Sequence, residues 1–293
     1  MKILLPIYVT NVCDSLIADL KLNLALENAS IDLLYIIEQL PAYENVIDTF
    51  SGIGENLHEK IYTHAQEVLS KLKSQLANSC QSVNFKILFG LISPTIHDEI
   101  VKNNYDLVII PSYDPVKLEE YVFGRVSRHI INTNPTQSLI LKPSTASPMA
   151  KNVIIGIDGS PDSLKAISKA QEIFNLKTNY QTIYLVNVVH LQKALYAFTP
   201  PEFSSMVQGN MVMQSDVYLA QAQKAINDLD IHHVEPIQKT GDPATEIASL
   251  AEELNTSLVI VASHGSHAFP KLILGSVSKN VAKLAKTQIA ILK

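Results

Sequence analysis

The stretch Leu258-Val-Ile-Val-Ala-Ser-His-Gly265, followed after nine intervening residues by Gly275-Ser-Val-Ser278, decides the fold class of this chain. Its apolar run has the length of a buried strand, and the glycine turn leads into an apolar-periodic stretch, Val277 to Leu284, typical of a helix. Glycine lets the backbone approach a ligand, while N–H groups at a helix N-terminus and serine hydroxyls suit phosphate oxygens. The pattern therefore predicts a strand–turn–helix unit with a nucleotide site.

The chain repeats itself, which extends this prediction to both halves. Asp106–Ser112 aligns with Ser257–Ser263 without gaps, and Lys2–Thr10 aligns in the same way with Asn152–Ser160. Near the end of each half, Thr136–Lys142 aligns with Thr287–Lys293. The shift between the halves is the same as before, since 257 minus 106 equals 287 minus 136. Two similar domains in tandem follow from this repeat.

The domain boundaries follow from the same alignment and from composition. Pro143-Ser-Thr-Ala-Ser-Pro-Met-Ala150 contains small residues and prolines that suit a surface linker. We predict domains at residues 1–142 and 151–293 and a linker at 143–150. A length of 293 residues accommodates two domains of the usual size, each able to bury a core.

Composition excludes several classes of function. A net charge of -5 and a pI near 6.0 provide no electrostatic footprint for nucleic acid or for an anionic membrane surface. Cys13 and Cys80 are too few for a disulfide framework or a thiolate metal cage, which favours the reduced cytoplasm. We also expect no membrane helix, because no apolar stretch approaches the roughly 18 residues required.

The second half alternates between strand and helix patterns, as a parallel-sheet α/β domain requires. We predict strands at 153–157, 182–189, 234–239, 258–262 and 289–292, and helices at 163–174, 214–229, 245–254 and 278–285. The segment His190 to Met213 is apolar and is predicted to be irregular, as a lid, a packed loop or a partner surface. In the first half, His97-Asp-Glu99 is predicted to begin a helix.

The combined motifs resemble those of the universal stress proteins in their tandem two-domain form. The matching stretches are Ile155-Gly-Ile-Asp-Gly-Ser160, Gly241-Asp-Pro-Ala244 and the glycine motif ending at Gly275-Ser276. The nucleotide-binding members carry Gly, two residues, Gly, nine residues, Gly and then Ser or Thr. This chain keeps the spacing but has Ala262 in place of the first glycine.

The resemblance implies a fold, a ligand and a set of contacts. Each half would be a Rossmann-like domain of the adenine nucleotide alpha hydrolase-like type, with a five-stranded mainly parallel sheet and helices on both faces. The second half would bind ATP, ADP or AMP, with Mg²⁺ as an accompanying ion. Asp158 would contact adenine, and the loop would hold ribose and phosphates. The implied nucleotide-binding residues are Asp158, Ala262, Gly265, Gly275, Ser276, Val277 and Ser278.

Simpler roles exist for the same residues. Asp158 stands where a helix cap is needed, in competition with Gly159, Ser160 and Asp162. Ser276 and Ser278 have the composition of ordinary N-caps, and the two glycines suit turns alone. At Ala262, a requirement for positive φ would weaken binding by about 1 kcal/mol relative to glycine.

Metal binding and dedicated catalysis find little support. His264 and His267 flank Gly265, but no nearby acidic or thiolate residue completes a ligand shell. The chain has no lysine-bearing P-loop and no nucleophile elbow. We therefore predict a binding protein, with at most weak ATPase activity, and not a dedicated enzyme.

The first half keeps the scaffold and loses this chemistry. Tyr8 stands in place of Asp158, Asp114 in place of Gly265, and Arg125 in place of Ser276. An aspartate facing phosphates repels them. We hypothesise that Asp114 and Arg125 pair and close the vacated site, with two unrelated surface charges as the alternative.

Two functions remain open from the sequence. The first is a nucleotide-binding stress-response regulator that acts through an unidentified protein partner. The second is a ligand-free interaction module with both sites inactive. In either case the family resemblance implies that Ser138–Leu141 and Ile289–Leu292, the terminal strands, pair within the chain as a pseudo-dimer, with a homodimer of chains left open.

Overall fold

A computed structural model of the chain describes residues 1–7, 14–38, 54–112, 124–142, 151–190, 201–264 and 274–293. The chain divides into two compact units, Met1–Pro143 and Ser144–Lys293. The predicted linker at 143–150 lies outside the described residues. The predicted pairing of the terminal strands stays a prediction.

The first unit alternates strands and helices. In chain order they are β1 (Lys2–Ile7), α1 (Asp14–Asn23), β2 (Ser30–Glu38), α2 (Gly54–Leu76), β3 (Ser82–Gly90), α3 (Ile92–Asn103), β4 (Leu107–Pro111), α4 (Arg125–Thr133) and β5 (Gln137–Leu141).

The second unit repeats this order with one short additional helix. Its elements are β6 (Asn152–Gly156), α5 (Pro161–Phe174), α6 (Leu176–Asn179), β7 (Thr182–Val189), α7 (Pro201–Asn227), β8 (Val234–Thr240), α8 (Pro243–Glu253), β9 (Leu258–Ala262), α9 (Ser276–Leu284) and β10 (Gln288–Leu292).

Each unit holds a five-stranded parallel sheet with the same topology. The order is β3-β2-β1-β4-β5 in the first unit and β8-β7-β6-β9-β10 in the second. The first strand of each unit is central, and because crossovers between parallel strands are right-handed as a rule, connections running to either side of it place helices on both faces. In the second unit α5 packs against α7, and α8 packs against α9. The predicted fold class is confirmed.

The burial of the strands explains their sequences. β4, β5 and β10 are buried along their whole length, as expected for strands covered on both faces, and apart from polar residues at the start of β5 and β10 they are apolar. β8 lies at the edge, and none of its residues is buried. It tolerates Pro236, because an edge strand has a neighbour on one side only. A missing N–H on the open side breaks no hydrogen bond of the sheet.

The amino ends of the strands are closed by the same hydrogen bonds in both units. The hydroxyl of Thr136 donates to the carbonyl of Tyr105 at 2.8 Å, and the hydroxyl of Thr287 donates to the carbonyl of Thr256 at 2.8 Å. Asn104 and Asn255 both adopt a left-handed backbone conformation, with φ of 49° at each. The two halves therefore keep one way of turning from a helix into the next strand.

Two sequence predictions about helix starts are wrong. The segment predicted to be irregular is helical from Pro201 onwards, so α7 begins well before Gln214. Proline suits the first turn of a helix, where its missing N–H has no intrahelical acceptor. Likewise, α3 begins at Ile92 and not at His97, with Pro94 in its first turn.

A buried polar cluster distinguishes the first unit. The hydroxyl of Tyr105 lies 2.9 Å from Oδ2 of Asp32 and 3.1 Å from Oε1 of Glu99. Nζ of Lys86 donates to the same oxygen of Glu99 at 2.6 Å. Burial, together with the hydrogen bond to Asp32, raises the pKa of Tyr105. These contacts tie β2, β3 and α3 to the turn before β4.

Lys142 follows β5 and is fully buried. Burial lowers the pKa of its ammonium group from 10.5 to about 7, because the charged form loses its hydration. Lys293, its counterpart in the repeat, is partly exposed, and burial lowers its pKa to about 8. Burial therefore favours the neutral amine of Lys142 more strongly than that of Lys293.

Candidate functional site

The turn that carries Asp158 is anchored to the neighbouring strand. Beyond the end of β6, the N–H of Ile157 donates to the carbonyl of Val186 at 2.8 Å. The buried side chain of Asn187 donates to the carbonyl of Ile157 at 2.6 Å. Both contacts hold the chain beside β7 until it leaves the sheet at Asp158.

Asp158 organises the turn, and Ser160 caps the helix that follows. Oδ1 of Asp158 accepts hydrogen bonds from the N–H of Ser160 at 3.0 Å and from its hydroxyl at 2.6 Å. Ser160 in turn accepts from the N–H of Ser163 at 3.1 Å, so it supplies the N-cap of α5. Asp158 is therefore not the cap, although it positions the residue that is.

Tyr218 on α7 lies against the same turn. Gly159 has a φ of 77°, and a Cβ at this position would lie 2.2 Å from Cε1 of Tyr218. Only a residue without a side chain fits between the ring and the turn. The long helix α7 thus contacts the segment that presents Asp158.

The loop after β9 is closed at its base by three hydrogen bonds. The N–H of Ser263 donates to the carbonyl of Leu292 at 2.7 Å, and the N–H of Gly275 donates to the carbonyl of Ser263 at 2.7 Å. The hydroxyl of Ser278 donates to the carbonyl of Ala262 at 2.6 Å. The first bond ties the chain to β10, and the other two bring the two ends of the loop together. A Cβ on Gly275 would lie 3.2 Å from the carbonyl of Ser263, tighter than most such contacts.

The three residues predicted to contact phosphate at the start of α9 differ in their exposure. Ser276 and Val277 are exposed in the first turn, where backbone N–H groups have no intrahelical acceptor. Ser278 is buried, and its hydroxyl is directed to Ala262. Its available contribution is therefore its backbone N–H. Gly265 and His267 lie outside the described residues.

Ala262 ends β9 in a strand conformation and is not among the described residues with positive φ. The backbone reason for preferring glycine at this position therefore falls away. What remains is the bulk of one methyl group near the loop.

His264 follows directly after the strand end. Its Nδ1 lies 2.9 Å from the hydroxyl of Ser263, a contact that fixes the ring beside the loop. Within the described residues, no three side chains of the His, Cys, Asp or Glu type lie together as a metal site would require.

The corresponding end of the first unit is built differently. The buried hydroxyls of Ser112 and Ser127 lie 2.9 Å apart, where the second unit directs Ser278 to a carbonyl. Arg125 begins α4 and is exposed. Tyr8 and Asp114 lie outside the described residues, so the pairing of Asp114 with Arg125 stays a prediction.

Sequence reasoning missed three residues beside the site. Tyr218 and Asn187 contact the Asp158 turn from distant positions in the chain, and no local pattern marks them. His190 follows β7, and its Nδ1 lies 2.9 Å from the carbonyl of Gly241. Next to it, hydrogen bonds from Thr245 hold the pKa of Asp242 below its usual range, as expected for a carboxylate that caps α8.

Comparison with known proteins agrees with this architecture. Residues 149–293 match the universal stress protein family. Universal stress protein YxiE of Bacillus subtilis is 26% identical over 149 residues, which cover 50% of this chain and 100% of that protein. Universal stress protein Rv1996 of Mycobacterium tuberculosis is 23% identical over 253 residues, which cover 80% of this chain and 74% of that protein.

A solved structure extends the likeness to both halves. The crystal structure of a universal stress protein from Archaeoglobus fulgidus covers 100% of this chain and 96% of its own, with a TM-score of 0.63 and 17% identity. At that identity the likeness concerns the fold. Through its second half the chain belongs to the universal stress protein family, and its first half repeats the fold.

The helices that the structure describes include none with both the length and the apolar character needed to span a bilayer.

Proposed function

We propose that the second half of this protein binds an adenine nucleotide and acts as a stress-response regulator through a protein partner. One observation carries the proposal. β6 and β9 are neighbouring parallel strands, with Ile155 opposite Ile260, so the Asp158 turn and the loop from Ala262 to Gly275 leave the same edge of the sheet. Open α/β sheets bind ligands at this edge, next to a central strand.

The two sides of this edge suit the two ends of a nucleotide. On one side, the carboxylate of Asp158 keeps acceptor capacity beyond its bonds to Ser160, since a carboxylate has about four lone-pair sites. In our proposal it accepts from the exocyclic amino group of adenine. On the other side, the N–H groups of Ser276, Val277 and Ser278 and the hydroxyl of Ser276 meet the phosphates.

The glycines give the ligand room in this proposal. Gly265 and Gly275 allow the backbone to approach ribose and phosphates, and Ala262 narrows the same approach by one methyl group. Mg²⁺ would arrive with a triphosphate, held mainly by its oxygens and by water. In this proposal the protein binds the nucleotide without dedicated catalysis. We place this role in the cytoplasm.

The alternative is a ligand-free interaction module. The bond from the hydroxyl of Ser278 to Ala262 favours this alternative, because it directs one predicted phosphate contact inwards. Co-purification distinguishes the two functions. Mass spectrometry of the denatured full chain should detect ATP, ADP or AMP, whereas a preparation that neither carries nor takes up nucleotide favours the module.

Calorimetry with two bases tests the role of Asp158. Asp158→Asn keeps an oxygen for Ser160 but replaces an acceptor with an amide donor. ATP should therefore bind at least about tenfold more weakly, while ITP, whose base presents a carbonyl in place of the amino group, should lose less. Asp162→Asn is the matched control, since it lies one turn away in α5 and should leave both affinities unchanged. Equal losses for ATP and ITP would contradict base recognition by Asp158.

A further inference from the structure

Helix α7 is apolar on two opposite sides. One side faces the core of the second unit, where Leu219, Ala222 and Ile226 are buried. On the opposite side Met206 and Met213 are 66% and 68% exposed, and Phe203 and Val217 are 52% and 48% exposed. A helix at the surface of a soluble protein ordinarily has a polar outer face. The outer face of α7 therefore has the character of a contact surface.

The exposed side has the spacing of a coiled-coil seam. Steps of three and four residues alternate without interruption through seven positions, all of them exposed. We call these positions the heptad seam: Phe203, Met206, Asn210, Met213, Val217, Ala220 and Lys224. Alternating steps of this kind keep one row of side chains directed at a partner helix.

Asn210 lies in the middle of this row. Phe203, Asn210, Val217 and Lys224 take the first core position of each heptad, whereas Met206, Met213 and Ala220 take the second. A buried amide loses hydrogen bonds against an apolar partner, but it satisfies them against a second amide at the same level. In a parallel pair of identical helices Asn210 meets Asn210 of the second copy, whereas an antiparallel pair would place a methionine there.

We propose that the heptad seam is a self-association surface, on which a second copy of this chain docks with its α7 parallel and in register. The two-fold symmetry of such a pair supplies the matching amide automatically. This interface is separate from the nucleotide site and does not depend on it.

The area of the seam agrees with a weak, specific dimer. The four large apolar side chains expose about 400–500 Å² per copy, so two copies with their flanking polar groups bury about 1,000 Å². That value lies at the lower limit of specific interfaces and predicts a dissociation constant in the micromolar range or above.

Charge next to the seam does not oppose this pairing. The positions that flank the seam are Glu202, Val207, Gly209, Gln214, Asp216, Gln221 and Gln223. Among them Glu202 and Asp216 are charged, and a parallel pair places the uncharged Val207 of the second copy opposite Glu202 and the uncharged Gln221 opposite Asp216. Oδ1 of Asp216 accepts a hydrogen bond from Gln238 at 3.3 Å, which holds the carboxylate towards its own unit. Lys224 would lie opposite Lys224 of the second copy, but it ends the seam, where both long side chains extend into water and away from each other.

Sedimentation equilibrium of the full chain, from micromolar to near-millimolar concentration, tests the proposal. The wild-type chain should dimerise, and Met213→Glu should raise the dissociation constant at least about 100-fold, because each copy would bury an unpaired carboxylate. Val101→Glu is the matched control, since Val101 is 56% exposed on α3 of the first unit. Thermal melts check that both variants fold.

Two further variants test the register. Asn210→Val should tighten association, since the buried amide lowers stability in exchange for specificity. In a Cys13→Ser, Cys80→Ser background, Asn210→Cys should form an interchain disulfide on mild oxidation, while Gln208→Cys, also exposed on α7, should not.

A wild-type chain that stays monomeric at the highest concentration would overturn the proposal. So would a dimer that Met213→Glu leaves intact, because another face would then form it. Equal cross-linking of Asn210→Cys and Gln208→Cys would overturn the in-register arrangement.

Discussion

The ring of Tyr218 occupies the space that a side chain on Gly159 would need. The separation of 2.2 Å between Cε1 of the ring and an ideal Cβ on Gly159 is far inside van der Waals contact. The Asp158 turn therefore requires a glycine because of Tyr218, a residue of α7 that lies 59 positions further along the chain (218 minus 159). This contact joins the candidate base site to the helix that carries the heptad seam.

Gly159→Ala should destabilise the second unit by about 2–4 kcal/mol, since it combines left-handed strain with a steric clash. In a Tyr218→Ala background the same substitution should lower the free energy of unfolding by only about 1 kcal/mol, the backbone contribution alone. Chemical denaturation of the four proteins completes the cycle. Gly209→Ala serves as the control, since a Cβ there meets nothing within 4 Å. An equal penalty in both backgrounds would rule out the ring as the cause.

Ala262→Gly should tighten ATP binding by a few-fold at most. Ala262 is not among the described residues with positive φ, so the substitution removes a methyl group but relieves no backbone strain. Calorimetric dissociation constants for the two proteins measure the effect, with thermal melts as the folding control. Unchanged affinity would mean that the methyl group points away from the ligand.

Adenine nucleotide should bind at one molecule per chain. The first half has Tyr8 and Arg125 where the second has Asp158 and Ser276, so it lacks the proposed base and phosphate contacts. Tyr8→Ala should therefore leave the calorimetric stoichiometry and affinity unchanged. Two equivalent sites per chain would contradict the loss of the first site.

Tyr105→Phe should lower the free energy of unfolding by about 1–3 kcal/mol, because it removes the hydroxyl that lies between two buried carboxylates. Asp32 and Glu99 are each only 8% exposed, so little water is available to replace the donor. Tyr62→Phe, at an exposed position on α2, is the control. If both variants unfold at the same denaturant concentration, the hydroxyl of Tyr105 contributes nothing to stability.

Lys142→Met should flatten the dependence of stability on pH. The pKa of Lys142 lies near 7 in the folded chain and near 10.5 when unfolded, so the folded state binds fewer protons between these values. The contribution of Lys142 to the free energy of unfolding therefore rises with pH in this window, by about 3 kcal/mol between pH 7 and about pH 9.5. Below pH 7 this contribution no longer changes with pH. Denaturation at both pH values should show this rise in the wild type and in the exposed control Lys60→Met, and a smaller rise in Lys142→Met. An identical slope in all three would exclude Lys142 as its source.

The alternation of strands and helices could be predicted from the sequence because burial on both faces makes strands continuously apolar. The bounds predicted for β7 and β9 are those observed. The first part of α7 could not be predicted in the same way. Between Pro201 and Met213 no described side chain is buried, and exposed apolar residues such as Phe203, Met206 and Met213 stand where a polar face is expected, so the usual pattern of one buried and one polar face is missing.

The candidate site shows the same division between local and distant signals. The Asp158 turn directly follows an apolar strand pattern, and the start of α9 follows the glycine motif after another. Their positions at strand ends could therefore be predicted from short stretches of sequence. Tyr218 and Asn187 contact the turn only because α7 and β7 fold against it. Their roles depend on tertiary packing, which no short window of sequence contains.

The matched hydrogen bonds of Thr136 and Thr287 show that the two ends of each sheet compare differently between the units. At the amino ends the two copies of the domain still close in the same way, although Tyr105 stands where the other copy has Thr256. At the carboxyl ends the units differ, with Ser112 bonded to Ser127 in one and Ser278 bonded to Ala262 in the other. The differences between the two units therefore gather at the edge where open α/β sheets bind ligands, while the opposite edge is built alike in both.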